Sequence, residues 1–211
     1  MVVLNGELFI KEAINSILSQ TFNNFELIIV DDGSTDNTVR EVELFNDNRI
    51  KSIKNKVNKG IVSARNQALD LSSGKYIAIL DADDISLPNR LELEVGFLEE
   101  NPDFGLVGGE ADLINEKGNK LYRTQSPSLT ADETKVYLLF KNCFTHSTIM
   151  YRKMILSKLG FNGKTPGGED YDVIVKIASL KKVKNITDII GLYRLHLHNT
   201  TKNHSLRDKI Q

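Results

Sequence analysis

Two clusters of carboxylates mark where this 211-residue chain could do chemistry. Asp31-Asp32 close the nearly continuous apolar run Phe25 to Val30, and Asp81-Ala82-Asp83-Asp84 close a second run, Lys75 to Leu80. Carboxylates crowded together repel, and a divalent cation is the usual relief. A site of hard oxygen donors that keeps open positions suits Mg²⁺ or Mn²⁺. Such an ion neutralises a diphosphate and stabilises it as a leaving group. Taken singly, each cluster is matched equally well by helix caps and turn bonds. Two clusters on one rim are harder to account for that way. Neither GxxxxGK[ST] nor GxGxxG occurs, so a metal must do the work of a glycine-rich phosphate loop.

The elements that position these residues follow from hydrophobic periodicity. Ile10, Ala13, Ile14, Ile17 and Leu18 predict a helix over 7–20. The run 25–30 reads as a buried parallel strand. A helix with Val39, Val42 and Phe45 inward follows, then a strand near 49–54 and a helix over 61–72. The strand 75–80 precedes a helix opened by Pro88 and reaching Glu100. This alternation implies βαβ units in a parallel sheet, an α/β fold, with ligands beyond the carboxyl ends of the strands. Both carboxylate clusters then face one rim.

After residue 104 the rhythm changes. A strand at 104–109, a hairpin around Glu116-Lys117-Gly118-Asn119, a helix at 131–141 and a strand at 145–151 are expected. A short helix, the loop Gly163 to Gly168, a helix over 170–180 and a last strand at 186–195 complete the reading. The second half builds onto the first rather than forming a separate domain. One domain is therefore expected, with 1–103 as one half and 104–211 as the other.

The 27 Lys+Arg against 28 Asp+Glu give a formal charge of −1, which supplies no global attraction to nucleic acid. A single cysteine, Cys143, excludes an intrachain disulfide and a four-cysteine zinc site, and fits a reducing cytoplasm. No run approaches the ~18 to 20 apolar residues of a membrane helix. The basic stretches Lys51 to Lys59 and Lys181 to Lys184 read as solvated faces.

The ordered set of motifs resembles the family 2 glycosyltransferases, which have the GT-A fold and are usually inverting. The matching pieces begin with Asn5-Gly6, Ser19-Gln20-Thr21 and Glu26 to Asp36, followed by Asn58-Lys59-Gly60 and Ala64-Arg65-Asn66. Gly74-Lys75-Tyr76 then leads to Leu80-Asp81-Ala82-Asp83-Asp84, with Pro88 and Arg90. His146 to Arg152, Gly168-Glu169-Asp170 and Tyr193-Arg194-Leu195-His196 extend the likeness over essentially the whole chain.

The resemblance implies a Rossmann-like, mostly parallel central sheet flanked by helices, with a smaller mixed β/α half for the acceptor. It implies a nucleotide-sugar donor, with uracil favoured, and a glycan or lipid-linked acceptor. It allows a peripheral contact with the cytoplasmic membrane face and a homodimer. Position by position, Asp32 would accept a bond from the nucleobase, Asp31 would brace its loop, and Arg65 would approach base or phosphates. Asp83 would ligate Mn²⁺ or Mg²⁺, with Asp81 on the ribose or the metal's shell, and Asp84 would cap the next helix. Asp170 would be the catalytic base, with Glu169 steering acceptor or base. His196 would lie near the diphosphate or metal, and His198 is a weaker candidate of the same kind. His146 fits the acceptor or donor-sugar site or a satisfied core position equally.

Two further readings stand beside this one: a glycosyltransferase-like nucleotide-binding remnant without turnover, and a nucleotidyltransferase, which would need the phosphate loop that is missing. Relatives begin with an apolar strand ending in Pro-x-Tyr-Asn; here Val2 and Leu4 stand at the proline and tyrosine places. Only Met1 to Leu4 match that strand, about half of a ~5 to 6-residue element. A gap beside the first strand is therefore expected.

Overall fold

The structure is a computed structural model that describes residues 1–124, 126–162, 168–197 and 199. Its first sheet holds three parallel strands, β1 (Val2–Val3), β2 (Leu27–Asp31) and β3 (Ile50–Lys54), in the order β1-β2-β3. All five residues of β2 are buried because helices cover both its faces. Leu27 and Ile29 meet α1 (Ile10–Leu18) and α2 (Thr38–Glu43). Ile28 and Val30 meet α3 (Ile61–Leu71) through Ala64 and Ala68. A strand buried on both faces needs apolar residues at every position, which is the pattern the sequence carries.

The second sheet joins the two halves of the chain. It contains β4 (Tyr76–Ala78), β5 (Ile85–Ser86), β6 (Phe104–Asn115), β7 (Lys120–Arg123), β8 (Ile149–Arg152) and β9 (Lys182–Leu195). The order is β4-β8-β6-β9-β5, with β7 paired to β6. Only β6 and β9 run parallel; β4 and β6 pair β8 antiparallel, and β5 pairs β9 antiparallel. The parallel α/β part is thus the first sheet, and the second half is the mixed one.

Helices α4 (Arg90–Glu100), α5 (Ala131–Tyr137), α6 (Lys153–Leu159) and α7 (Glu169–Leu180) pack around this sheet. The largest core cluster gathers Leu106, Ile149 and Tyr151 from the strands with Leu156, Val173, Ile174 and Ile177 from α6 and α7. Burial of this kind contributes roughly 25 cal/mol per Å² of apolar surface. It fixes the start of α7 against the ends of β4 and β8.

The expected elements are present with shifted ends, and two differences have clear causes. β6 runs on to Asn115, because it is paired on one side by β9 and on the other by β8 and then β7. The short strand β5 carries no alternation long enough to read in a sequence. Among the described residues no helix is long and apolar enough to cross a membrane.

Candidate active site

The two carboxylate clusters end on the same rim. Val3 O accepts the Asp32 N–H at 2.8 Å, and Val3 packs with Leu80 and Ala82 at the end of β4. Beyond β2 the chain turns sharply. Asp31 Oδ1 accepts from Gly33 N at 3.1 Å and Ser34 N at 3.0 Å, and Asp31 Oδ2 is buried without a partner among the described residues. Asp32 accepts from Asn55 Nδ2 at 2.9 Å, from Lys59 N at 3.1 Å and from Gly60 N at 2.8 Å. Its carboxylate therefore holds the loop before α3 in place. Gly33 has φ +88°, and a Cβ there would meet Asn58 N at 2.8 Å, so only glycine lets these two loops touch. Asn5, at φ 54°, ties the first loop to this turn by accepting from Thr35 N at 2.9 Å.

The second cluster is bound by residues from both halves of the chain. Arg65, buried on α3, donates Nη1 to Glu169 Oε1 at 2.7 Å, and its Nη2 lies 3.6 Å from Asp81 Oδ1. The guanidinium also stands 5.7 Å from the centre of the Phe161 ring. Glu169 and Asp170 form the first turn of α7, where the helix dipole favours negative charge. Asp170 Oδ1 accepts its neighbour Tyr171 N at 2.7 Å; Oδ2 lies 3.8 Å from His146 Nδ1. Its side chain remains 25% exposed, open enough to meet a substrate hydroxyl. The Tyr171 hydroxyl donates to Leu138 O and so pins this end of α7 to α5.

His146 opens a short 3₁₀ turn (His146–Thr148); its two ring nitrogens are buried and have no hydrogen-bond partner among the described residues. Burial, then the positive charge of Arg65, hold its pKa below the usual histidine value. It is therefore not a satisfied core histidine, one of the two readings the sequence left open.

Asp83 Oδ2 lies 2.8 Å from His196 Nε2, and Asn199 Nδ2 donates to the same oxygen at 3.3 Å. The His196 ring rests against Phe9 with centroids 5.0 Å apart. Among the described residues no three His, Cys, Asp or Glu side chains form a complete ligand set. Asp83 and His196 nevertheless suit a metal that is bound by one or two protein groups and takes its other ligands from phosphates and water. They are the residues that would hold Mn²⁺ or Mg²⁺. His198 and Gly167 lie outside the described residues.

Asp84 does not cap the next helix. It is buried, and its Oδ1 accepts the backbone N–H of Arg194 on β9 at 2.8 Å; Asn89 stands at the N-terminus of α4 instead. Burial, then the charges of Asp83 and Asp81, push its pKa well above the usual carboxylate range. Arg194 is the participant that motif reading did not single out. Fully buried, it donates Nε to Asp83 O at 2.8 Å, Nη1 to Glu116 O at 3.0 Å and Nη2 to Glu12 Oε2 at 2.5 Å. It thereby ties α1, the β4–β5 loop and the β6–β7 hairpin together. Its position next to the Leu195-His196 pair was the only available signal.

The geometry now has comparisons to set beside it. Residues 1–160 match the model of the family described as Glycosyl transferase family 2. The chain belongs to this family. A Haemophilus influenzae relative, described as an uncharacterized glycosyltransferase, is 36% identical over 209 residues, covering 93% of this chain. This chain spans 64% of that relative's length. S. aureus TarS, solved in complex with UDP-GlcNAc, is similar with a TM-score of 0.79 at 21% identity, over 96% of this chain and 59% of TarS. The mannosyltransferase PcManGT of Pyrobaculum calidifontis, solved with GDP-Man and Mn²⁺, has a TM-score of 0.70 at 20% identity, over 98% and 58% of the two chains. These solved neighbours share the fold, which is GT-A. As a member of this family the chain is built on an α/β scaffold, with its two carboxylate clusters gathered on one rim.

Proposed function

We propose that this chain moves a sugar from a nucleotide diphosphate, a UDP-sugar, to a hydroxyl of a glycan or lipid-linked acceptor, with inversion and with Mn²⁺ or Mg²⁺ as cofactor. The observation that carries the reading is the meeting of Arg65, Asp81, His146, Glu169 and Asp170 where β4, α3 and α7 converge. Residues 1–103 supply the nucleotide half and 104–211 the acceptor half. UDP-GlcNAc in TarS and Mn²⁺ in PcManGT are what those two proteins bind, and they support the choice of donor and ion for this one. The free cysteine, Cys143, is in keeping with a cytoplasmic setting.

On this reading the base lies against the Asp31-Asp32 turn; the Asp32 carboxylate, the acceptor the resemblance implies, is already taken up by Asn55, Lys59 and Gly60, while Asp31 Oδ2 has no donor among the described residues. Asp81 and Arg65 stand where ribose and phosphates pass. Asp83 and His196 would hold the cation, which supplies charge neutralisation for the departing diphosphate. Asp170 accepts the proton of the acceptor hydroxyl as that oxygen bonds to the anomeric carbon. The bond from the anomeric carbon to the diphosphate oxygen breaks on the opposite face, and UDP leaves with the electron pair. Glu169 is engaged by Arg65 and so positions α7 rather than taking the proton. Exchange of Asp170 for Asn should keep UDP affinity while transfer falls about 10²- to 10⁴-fold. Sugar-transfer assays beside UDP calorimetry check this; equal loss of both would make Asp170 structural.

A further inference from the structure

His146 stands at the β4 rim with both ring nitrogens covered and unpartnered among the described residues, and its side chain is only 9% exposed. Buried polar atoms without partners are rare in folded chains, because each has lost its bonds to water without replacement. The ring is nevertheless firmly placed. In the turn that it opens, Ser147 Oγ accepts the Asp81 N–H at 3.1 Å and Thr148 Oγ1 donates to Gly109 O at 2.8 Å. Ser147 and Thr148 are both buried, so the turn is a fixed piece of scaffold between β6 and Asp81.

The charges that act on the ring come from Arg65 on α3, Asp81 beyond β4, and Glu169 and Asp170 on α7. On β8 the Tyr151 hydroxyl is also buried without a partner among the described residues. Arg65 faces Glu169 at 2.7 Å and Asp81 at 3.6 Å. Asp170 is the carboxylate left over. Its Oδ1 accepts the Tyr171 N–H, and its Oδ2, with no donor among the described residues, lies 3.8 Å from His146 Nδ1. That is about 1 Å beyond a charge-assisted N–H···O⁻ bond. Bonds around a catalytic base are often this long until substrate is bound. A substrate meets Asp170, which is 25% exposed, and not the covered nitrogens behind it.

We propose that His146 is the positioning residue of Asp170: it carries its proton on Nδ1 and donates it to Asp170 Oδ2. The inference rests on the reading of Asp170 as the base. One lone pair of Oδ2 is fixed by His146, which aims another at the hydroxyl whose proton Asp170 takes. In the transfer step that proton moves to Asp170, the hydroxyl oxygen bonds to the anomeric carbon, and UDP leaves with the electron pair. The His146 proton stays on Nδ1 throughout. Because Ser147 of the same turn holds the Asp81 backbone, the base keeps its place relative to the donor side.

Two measurements test this, and the first needs no turnover. In proton–nitrogen NMR of the intact chain labelled at histidine, neutral His146 should be the Nδ1–H tautomer. That proton's resonance should move upfield in Asp170→Asn, whose amide oxygen is a weaker acceptor than a carboxylate. The second follows UDP release from UDP-GlcNAc or UDP-glucose with Mn²⁺, water serving as the acceptor. His146→Leu should lower kcat about 10- to 100-fold, the factor that one hydrogen bond to a charged group represents, with the donor KM unchanged. His146→Asn, whose amide nitrogen stands near the place of Nδ1, should recover most of that loss. His146→Gln, whose nitrogen reaches the place of Nε2, should not. In the Asp170→Asn background, His146→Leu should add little. Should the leucine variant fail to fold, the asparagine and glutamine variants decide between themselves, and where neither donor turns over the NMR decides. The Nε2–H tautomer, a resonance indifferent to Asp170→Asn, equal rates in the Asn and Gln variants, or full additivity with Asp170→Asn would each overturn the proposal. UDP release that survives Asp170→Asn would remove Asp170 as the base, and this proposal with it. Release lost in Asp170→Asn but undiminished in His146→Leu would remove the role of His146 alone.

Discussion

The ends of β2 and β4 both present carboxylates to the same rim, yet they are held in opposite ways. At β2 the partners come from the first sixty residues and are mostly backbone N–H groups: Gly33, Ser34, Lys59 and Gly60. At β4 the partners of Asp84 and Asp83 come from the other half, Arg194 at a separation of 110 residues and His196 at 113, while Asp81 meets Arg65 of α3, whose own partner Glu169 lies 104 residues further on. The β2 turn is closed by groups that are near it in the chain. The β4 rim exists only when α7 and β9 have docked. The β2 rim is therefore a local structure, and the β4 rim is a product of the whole fold.

Breaking the long-range link should cost most. Arg65→Met leaves Glu169 buried without its counter-ion, and removal of one partner of a buried pair costs roughly 3–5 kcal/mol. Denaturant unfolding measures the loss, and the double variant Arg65→Met, Glu169→Gln should recover part of it. A loss under 1 kcal/mol would mean that the two halves are joined chiefly by the apolar core.

A second effect arises beneath β4, where Arg90 and Glu94 form a fully buried pair and Arg90 also donates to Ile79 O. Burial, opposed by Arg90, raises the Glu94 pKa from 4.5 to about 7. The folded chain then holds a proton that the unfolded chain has released, so this contribution to stability falls as pH rises from about 4.5 to about 7. Glu94→Gln should flatten that slope in unfolding measurements. An unaltered slope would assign the pH dependence to another group.

The smallest change belongs to the local rim. Asp32→Asn keeps one acceptor oxygen and loses charge on the bonds from Lys59 and Gly60, at about 1 to 2 kcal/mol. Faster amide exchange should be confined to 55–60. Exchange that also rises in α7 would show that the two rims are coupled.

The same contrast explains what could be read in the sequence. The Phe25 to Val30 run and its Asp31-Asp32 end name a buried strand and a turn, because every residue involved is close in the chain. The positions of Asp81, Asp83, His146, Glu169, Asp170 and His196 were accessible through the order of motifs. Their pairing was not, since nothing in a local pattern tells that Arg65 meets Glu169 or that Asp83 meets His196. Asp84 illustrates the limit. Its place before a helix suggests a cap, but it bonds to Arg194 on a strand 110 residues away. Arg194 itself reads as one more basic residue until three separate segments close around it.

Calorimetric titration of UDP with Mn²⁺ into the folded chain, beside the Asp83→Ala variant, tests most directly whether the two rims make one nucleotide-sugar site. Saturable, Mn²⁺-dependent binding that weakens about 10- to 100-fold in the variant is the expected result. No binding at millimolar UDP by a folded sample, or binding indifferent to both Mn²⁺ and Asp83, would contradict it.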